Sequence, residues 1–134
     1  MSQLRTLPFF TVLLLTINGC ATTPVTLTSK SWNLHTINDE LLYGNSAITL
    51  SFDTSNQLSG SAGCNRYRGK YHSDNGVINV ETIATTKKLC APSIMEQERK
   101  YLGILNDAVT YVDKCGRLKI SSQDNEILRF NKTK

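Results

Sequence analysis

The stretch Ser59-Gly60-Ser61-Ala62-Gly63-Cys64-Asn65-Arg66-Tyr67-Arg68-Gly69-Lys70-Tyr71 constrains the fold of this chain more than any other. Tyr67 and Tyr71 suit strands, and glycines among strand residues mark bends or close backbone approach. The stretch reads as a strand, a sharp bend through Gly60-Ser61-Ala62-Gly63, and a second strand. Arg66, Arg68 and Lys70 alternate along that second strand and so share one face. A second anchor lies at Leu89-Cys90-Ala91-Pro92, directly before a helix-like segment.

The strands around this anchor follow from period-two alternation. Trp32 to Thr36 alternates apolar and polar, and Ile48 to Phe52 does so most cleanly. A polar turn at Asp53 to Gln57 implies that Leu58 to Ala62 returns antiparallel to it. Asp74-Asn75-Gly76 is a hairpin signal between Arg66–His72 and Val77–Val80. Ile83 to Leu89 reads as extended. Ser93-Ile94-Met95-Glu96 has the spacing of a capping box and predicts a helix from Ile94 to about Ala108. Its expected core stripe is Met95, Leu102, Leu105 and Val109, with Tyr101 and Ile94 flanking and Glu98 on a solvated face. Val109–Val112, Leu118–Ile120 and Ile127–Phe130 then form a meander. The expected class is α+β, mostly β: an antiparallel barrel-like sheet of seven to eight short strands with one packed amphipathic helix.

Residues 1–19 read as a signal peptide rather than as fold. A polar start with Arg5 is followed by the apolar run Leu7 to Ile17, too short to span a membrane comfortably. Ile17-Asn18-Gly19-Cys20 resembles a bacterial lipobox, although Ile17 and Asn18 stand where Leu and a small residue are commoner. That resemblance implies cleavage before Cys20 and lipidation of its sulfur. Ala21 after the cysteine implies the outer membrane, facing the periplasm. Residues 20–30 then read as a Thr-rich lipidated tether and residues 31–134 as one domain. Removing the first 19 of 134 residues leaves 115, and the formal charge falls from +4 to +3 with Arg5. So mild a charge gives no nucleic-acid footprint.

An exported chain sits where disulfides persist. With Cys20 acylated, Cys64, Cys90 and Cys115 remain, so one of them is unpaired or bonded between molecules. Cys64 and Cys90 are read as the pair. The alternative, a zinc site, lacks any Cys-x-x-Cys spacing, and His35 and His72 are scattered. No metal or other cofactor is expected. No Gly-x-Ser-x-Gly elbow is present and no pair of carboxylates stands out. Cys115 is either a reactive thiol, an inert one, or an intermolecular disulfide. Asn65 either satisfies local backbone groups or contacts a ligand. Arg66, Arg68 and Lys70, with Lys87 and Lys88, form either a solvated face or a basic patch for lipid headgroup phosphates.

Together the Trp32-x-Leu34 opening, Gly60-Ser-Ala-Gly-Cys-Asn-Arg-Tyr67, Thr85-Thr-Lys-Lys-Leu-Cys90 and the Glu-bearing helix resemble the META domain, the domain of HslJ-like heat-shock proteins of the bacterial envelope. The resemblance covers Ser31 to Phe130; Leu89 and Cys115 depart from its pattern. It implies a small envelope lipoprotein linked to stress and antibiotic tolerance, with a barrel-like fold and no established enzymatic activity, and the chain is expected not to be an enzyme. The expected partners are the membrane, through the N-terminal lipid, and a lipid or envelope protein bound by a monomer. The alternatives are a small envelope enzyme or a docking protein like the pilot lipoproteins of secretion systems, which hold acyl chains in a cavity.

Overall fold

The computed structural model describes residues 26–134. The segment read as a signal peptide and Cys20 lie outside these residues. The strands are β1 (Lys30–Ile37), β2 (Glu40–Leu41), β3 (Thr49–Phe52), β4 (Gln57–Ser61), β5 (Arg66–Asp74), β6 (Val77–Val80), β7 (Ala84–Thr85), β8 (Ala108–Lys114), β9 (Arg117–Ser122) and β10 (Ile127–Lys132). One helix, α1 (Pro92–Asn106), sits between β7 and β8. The sheet runs β1-β3-β4-β5-β6-β8-β9-β10, all antiparallel, and β10 pairs back onto β1, closing an eight-stranded barrel. β2 and β7 are short additions on β1 and β5. The mostly-β barrel with a single packed helix agrees with the class read from the alternation.

Three hairpins are sharp because their corner residues accept positive φ. Asn75 and Gly76 lie at φ 42° and 86°, Cys115 and Gly116 at 53° and 72°, and Asn38 and Asp39 at 50° and 65°. Two successive positive values give the two-residue turn whose twist matches that of its flanking strands.

The alternation turns every second side chain into the bore. Trp32, Leu50, Leu58, Tyr71, Ile78, Ile120, Leu128 and Phe130 are all at most 2% exposed. An eight-stranded barrel is just wide enough for side chains to fill. Phe52 and Tyr71 meet edge to face at 4.7 Å. The helix packs on β9 and β10 and adds Tyr101, Ile104 and Leu105 to the core. Leu27, inside the segment read as tether, is 1% exposed, so the packed domain reaches back to it.

The helix differs from its sequence reading in three respects. Its N-cap is Ala91, with no side-chain hydrogen bond there, so Ser93 and Glu96 form no capping box. The chain arrives extended at Ala91 (ψ 142°), Pro92 fixes φ in the first turn, and Ser93 is already inside the helix. Glu96 pairs instead with Arg99 at 2.5 Å. The buried face is Gln97, Glu98, Tyr101, Ile104 and Leu105; Met95 and Leu102 are half-buried, and Val109 is an exposed residue of β8. Of the extended segment expected over Ile83 to Leu89, only Ala84–Thr85 is a strand.

Candidate functional site

The bend between β4 and β5 is built around Gly63, at φ 103°, and closed by Ala62 N donating to Asn65 O at 2.7 Å. It turns two backbone N–H groups toward the helix. Cys64 N and Asn65 N donate to Glu98 Oε2 at 3.2 and 2.6 Å. Asn65 Nδ2 donates to Glu98 Oε1 at 2.6 Å. The opposite edge of the same amide holds the segment before the helix: Asn65 Oδ1 accepts from Lys88 N at 2.6 Å and from Thr86 Oγ1 at 2.9 Å. Thr86 Oγ1 also accepts from Arg66 N at 3.1 Å. Cys64 is bonded to Cys90, with the Cα atoms 6.0 Å apart.

Three segments thus converge on Asn65: the bend, the 86–90 segment and the helix. Two adjacent N–H groups facing a carboxylate make an anion cradle. Here the anion is the chain's own Glu98, buried at 8% exposure. Asn65 is 4% exposed and uses its oxygen and its amide nitrogen on its own chain. Of the two roles open to Asn65, the geometry matches the local structural one. Glu98 does not lie on a solvated face as expected. No sequence signal marked it, because its partners are 33 and 34 residues away.

Below this knot a second polar pair lies in the core. Tyr67 Oη donates to Thr49 O and accepts from Tyr101 Oη, both at 2.6 Å. Burial pushes both hydroxyls well above the ordinary tyrosine range, and for Tyr101 the neighbouring Tyr67 adds to the shift. Gly60 is what admits the pair: a Cβ there would lie 1.9 Å from Thr49 O and 2.9 Å from Tyr67 Oη.

Arg66, Arg68 and Lys70 do share the outer face of β5, opposite Ser61, Ser59 and Gln57 of β4. Arg68 and Lys70 border a shallow cleft of about 360 Å³ with Glu81 and Thr82. Arg66 and Arg68 border another of about 450 Å³ with Thr85 and Thr86. Asn65 stands apart from them, pointing inward. His72 is exposed and lies 3.0 Å from Glu81. His35 and Cys115 line one groove, but Cys115 is disulfide-bonded and is no thiolate nucleophile. No group of three or more His, Cys, Asp or Glu that could hold a metal ion occurs among the described residues.

A closed barrel capped by one helix and pinned through a Gly-Cys-Asn bend defines a class of small β-barrel domains. The META domain matches residues 25–134, and the chain belongs to that family. Among solved structures, it is similar to a protein from Burkholderia xenovorans at 23% identity and TM-score 0.66, over 86% of this chain and 93% of that one. A second protein solved by NMR matches at 23% identity and TM-score 0.67, over 83% and 95%. A DUF4847 family protein from Bacteroides vulgatus matches at 12% and 0.57, over 78% and 93%. These likenesses show the fold alone. No curated protein matches the chain.

Proposed function

We propose that this chain is an exported META-domain protein of the HslJ type, lipid-anchored in the outer membrane. On this reading it serves envelope stress or antibiotic tolerance by binding a lipid or protein partner on its surface, without catalysis. One observation carries the reading: the polar centre around Asn65 is closed on itself by Glu98. The bore is likewise filled by Trp32, Tyr71 and Phe130, which speaks against an acyl chain held inside. What remains free for a partner is the outer surface, with Arg66, Arg68 and Lys70 as one contact stripe.

The anchor is tested by fractionation. Cys20→Ser should release the protein from membranes, and a wild type already found soluble would sink the anchor. Intact mass tests it as well: added acyl mass supports the anchor, and a bare chain mass removes it. The binding role is tested in a strain lacking the protein and challenged with envelope stress. Arg66→Gln/Arg68→Gln/Lys70→Gln protein should fail to restore tolerance where wild type does. Full rescue by that variant would discard the stripe.

A further inference from the structure

We propose that the outer face of β8, β9 and β10 is a second docking surface, for a bilayer of anionic phosphate headgroups. It rests on the reading that the chain works at a membrane, and it concerns a face opposite the β5 stripe. In the closed order, β10 is four strands from β5 in either direction.

The strand register carries the inference. Lys114 of β8 lies directly opposite Arg117 of β9, and Lys119 of β9 lies directly opposite Arg129 of β10. Residues directly opposite in an antiparallel pair stand side by side on one face, and like charges there are destabilising. Lys114, Arg117 and Lys119 have no ion pair among the described residues, and only Arg129 is answered, by Asp39 at 2.6 Å. On β5 the corresponding cations face Ser61, Ser59 and Gln57, so no such repulsion is built in. The Lys114–Arg117 pair holds a repulsion, and Lys119 beside it an unanswered charge, that an anionic surface would relieve.

Shape and place choose the surface. The four cations border an open groove of about 830 Å³ with Val112, an apolar residue 51% exposed and directly opposite Lys119. The chain enters at the same end of the barrel. Lys30, the first residue of β1, reaches Asp113 of β8 at 2.7 Å, and Thr133 N donates to Ser31 O. Lys132 N donates to Gly116 O, which brings the C-terminal lysines to the β8–β9 turn. The seven-residue step from Cys20 to the buried Leu27 spans at most about 25 Å when extended, so an anchor at Cys20 would keep the domain's entry close to a bilayer.

The test uses the mature chain carrying Cys20→Ser, so that no acyl group contributes. Co-sedimentation is measured with phosphatidylcholine vesicles containing or lacking phosphatidylglycerol. Binding is expected only to the anionic vesicles and should weaken with salt. Lys114→Gln/Arg117→Gln/Lys119→Gln should weaken it about a hundredfold, at about fivefold per charge. The same variant should melt no lower than its parent, because it removes the facing like charges. Absence of binding to anionic vesicles at low salt would overturn the assignment, as would undiminished binding by this variant. An equal loss in the Arg66→Gln/Arg68→Gln/Lys70→Gln protein would reduce the effect to net charge and also overturn it. Binding to polyglutamate but not to vesicles would move the partner to protein. Failure of the anchor itself is read from wild-type fractionation and leaves this assay standing.

Discussion

Asn65 joins three segments because an amide both donates and accepts along fixed directions. Replacing it with Ala leaves Lys88 N, Thr86 Oγ1 and the Glu98 carboxylate short of partners. Thr86 and Lys88 are exposed residues that water can serve, so the cost falls chiefly on the buried Glu98 carboxylate, and one buried group left short costs about 1–3 kcal/mol. Asn65→Ala should therefore lower stability by about 2 kcal/mol in urea unfolding, and no measurable loss would contradict the knot. Glu98→Gln should cost a comparable amount, because with its oxygen kept on the two backbone N–H groups its new amide nitrogen would face Asn65 Nδ2, which already donates. The tyrosine pair gives a pH prediction. An unfolded tyrosine titrates near pH 10, and both of these are pushed higher in the fold. Their contribution is complete below about pH 10 and is lost as pH rises from there toward the folded values, because the unfolded chain releases its protons first. Tyr101→Phe should flatten the fall of the urea midpoint above pH 10. An unchanged slope would exclude the pair as its source.

Strands were legible where one face is wet and one dry. The Ile48–Phe52 alternation gave β3 with its buried positions, and Asp74-Asn75-Gly76 gave the β5–β6 turn, because both signals are local. The helix start was misread because Ser-x-x-Glu is a short pattern, whereas the entry is set by how the preceding segment is held. The disulfide and Asn65 bring the chain in extended, and Pro92 does the rest. Ser93→Ala should thus change stability by less than about 0.5 kcal/mol, where loss of a true cap costs about 1 kcal/mol. A loss near the capping value would restore the box. The facing cations of β8, β9 and β10 were illegible for a different reason: register is a property of two strands together, and no single strand shows it. The covalent tie can be read as a free energy. Closing a loop of 26 residues stabilises by roughly 3.5 kcal/mol in a chain-entropy account. The Cys64→Ala/Cys90→Ala chain should lose a similar amount at its denaturant midpoint, and an equal stability would mean that the hydrogen bonds alone hold the segment.

At the scale of the molecule, closure and filling depend on one another. β10 pairs with β9 on one side and β1 on the other, and Trp32, Tyr71 and Phe130 from three strands occupy the space that closure creates. A barrel of this strand number can hold either its own side chains or one small ligand. The size of these side chains decides between the two, and Tyr101 from the helix reaches Phe130 at 6.4 Å between ring centroids. An acyl chain could enter only by displacing them, at a cost that close-packed interiors do not recover. Native mass spectrometry of the protein purified gently, without denaturant, should therefore give the mass of the chain with its covalent modifications and no further ligand. If Phe130→Ala protein folds, at a loss of about 3–5 kcal/mol, the space left should take up a small apolar molecule such as benzene, which the wild type should refuse. A lipid retained by the wild type and removable only on unfolding would show that the bore opens, and would shift the binding role from the outer faces to the inside.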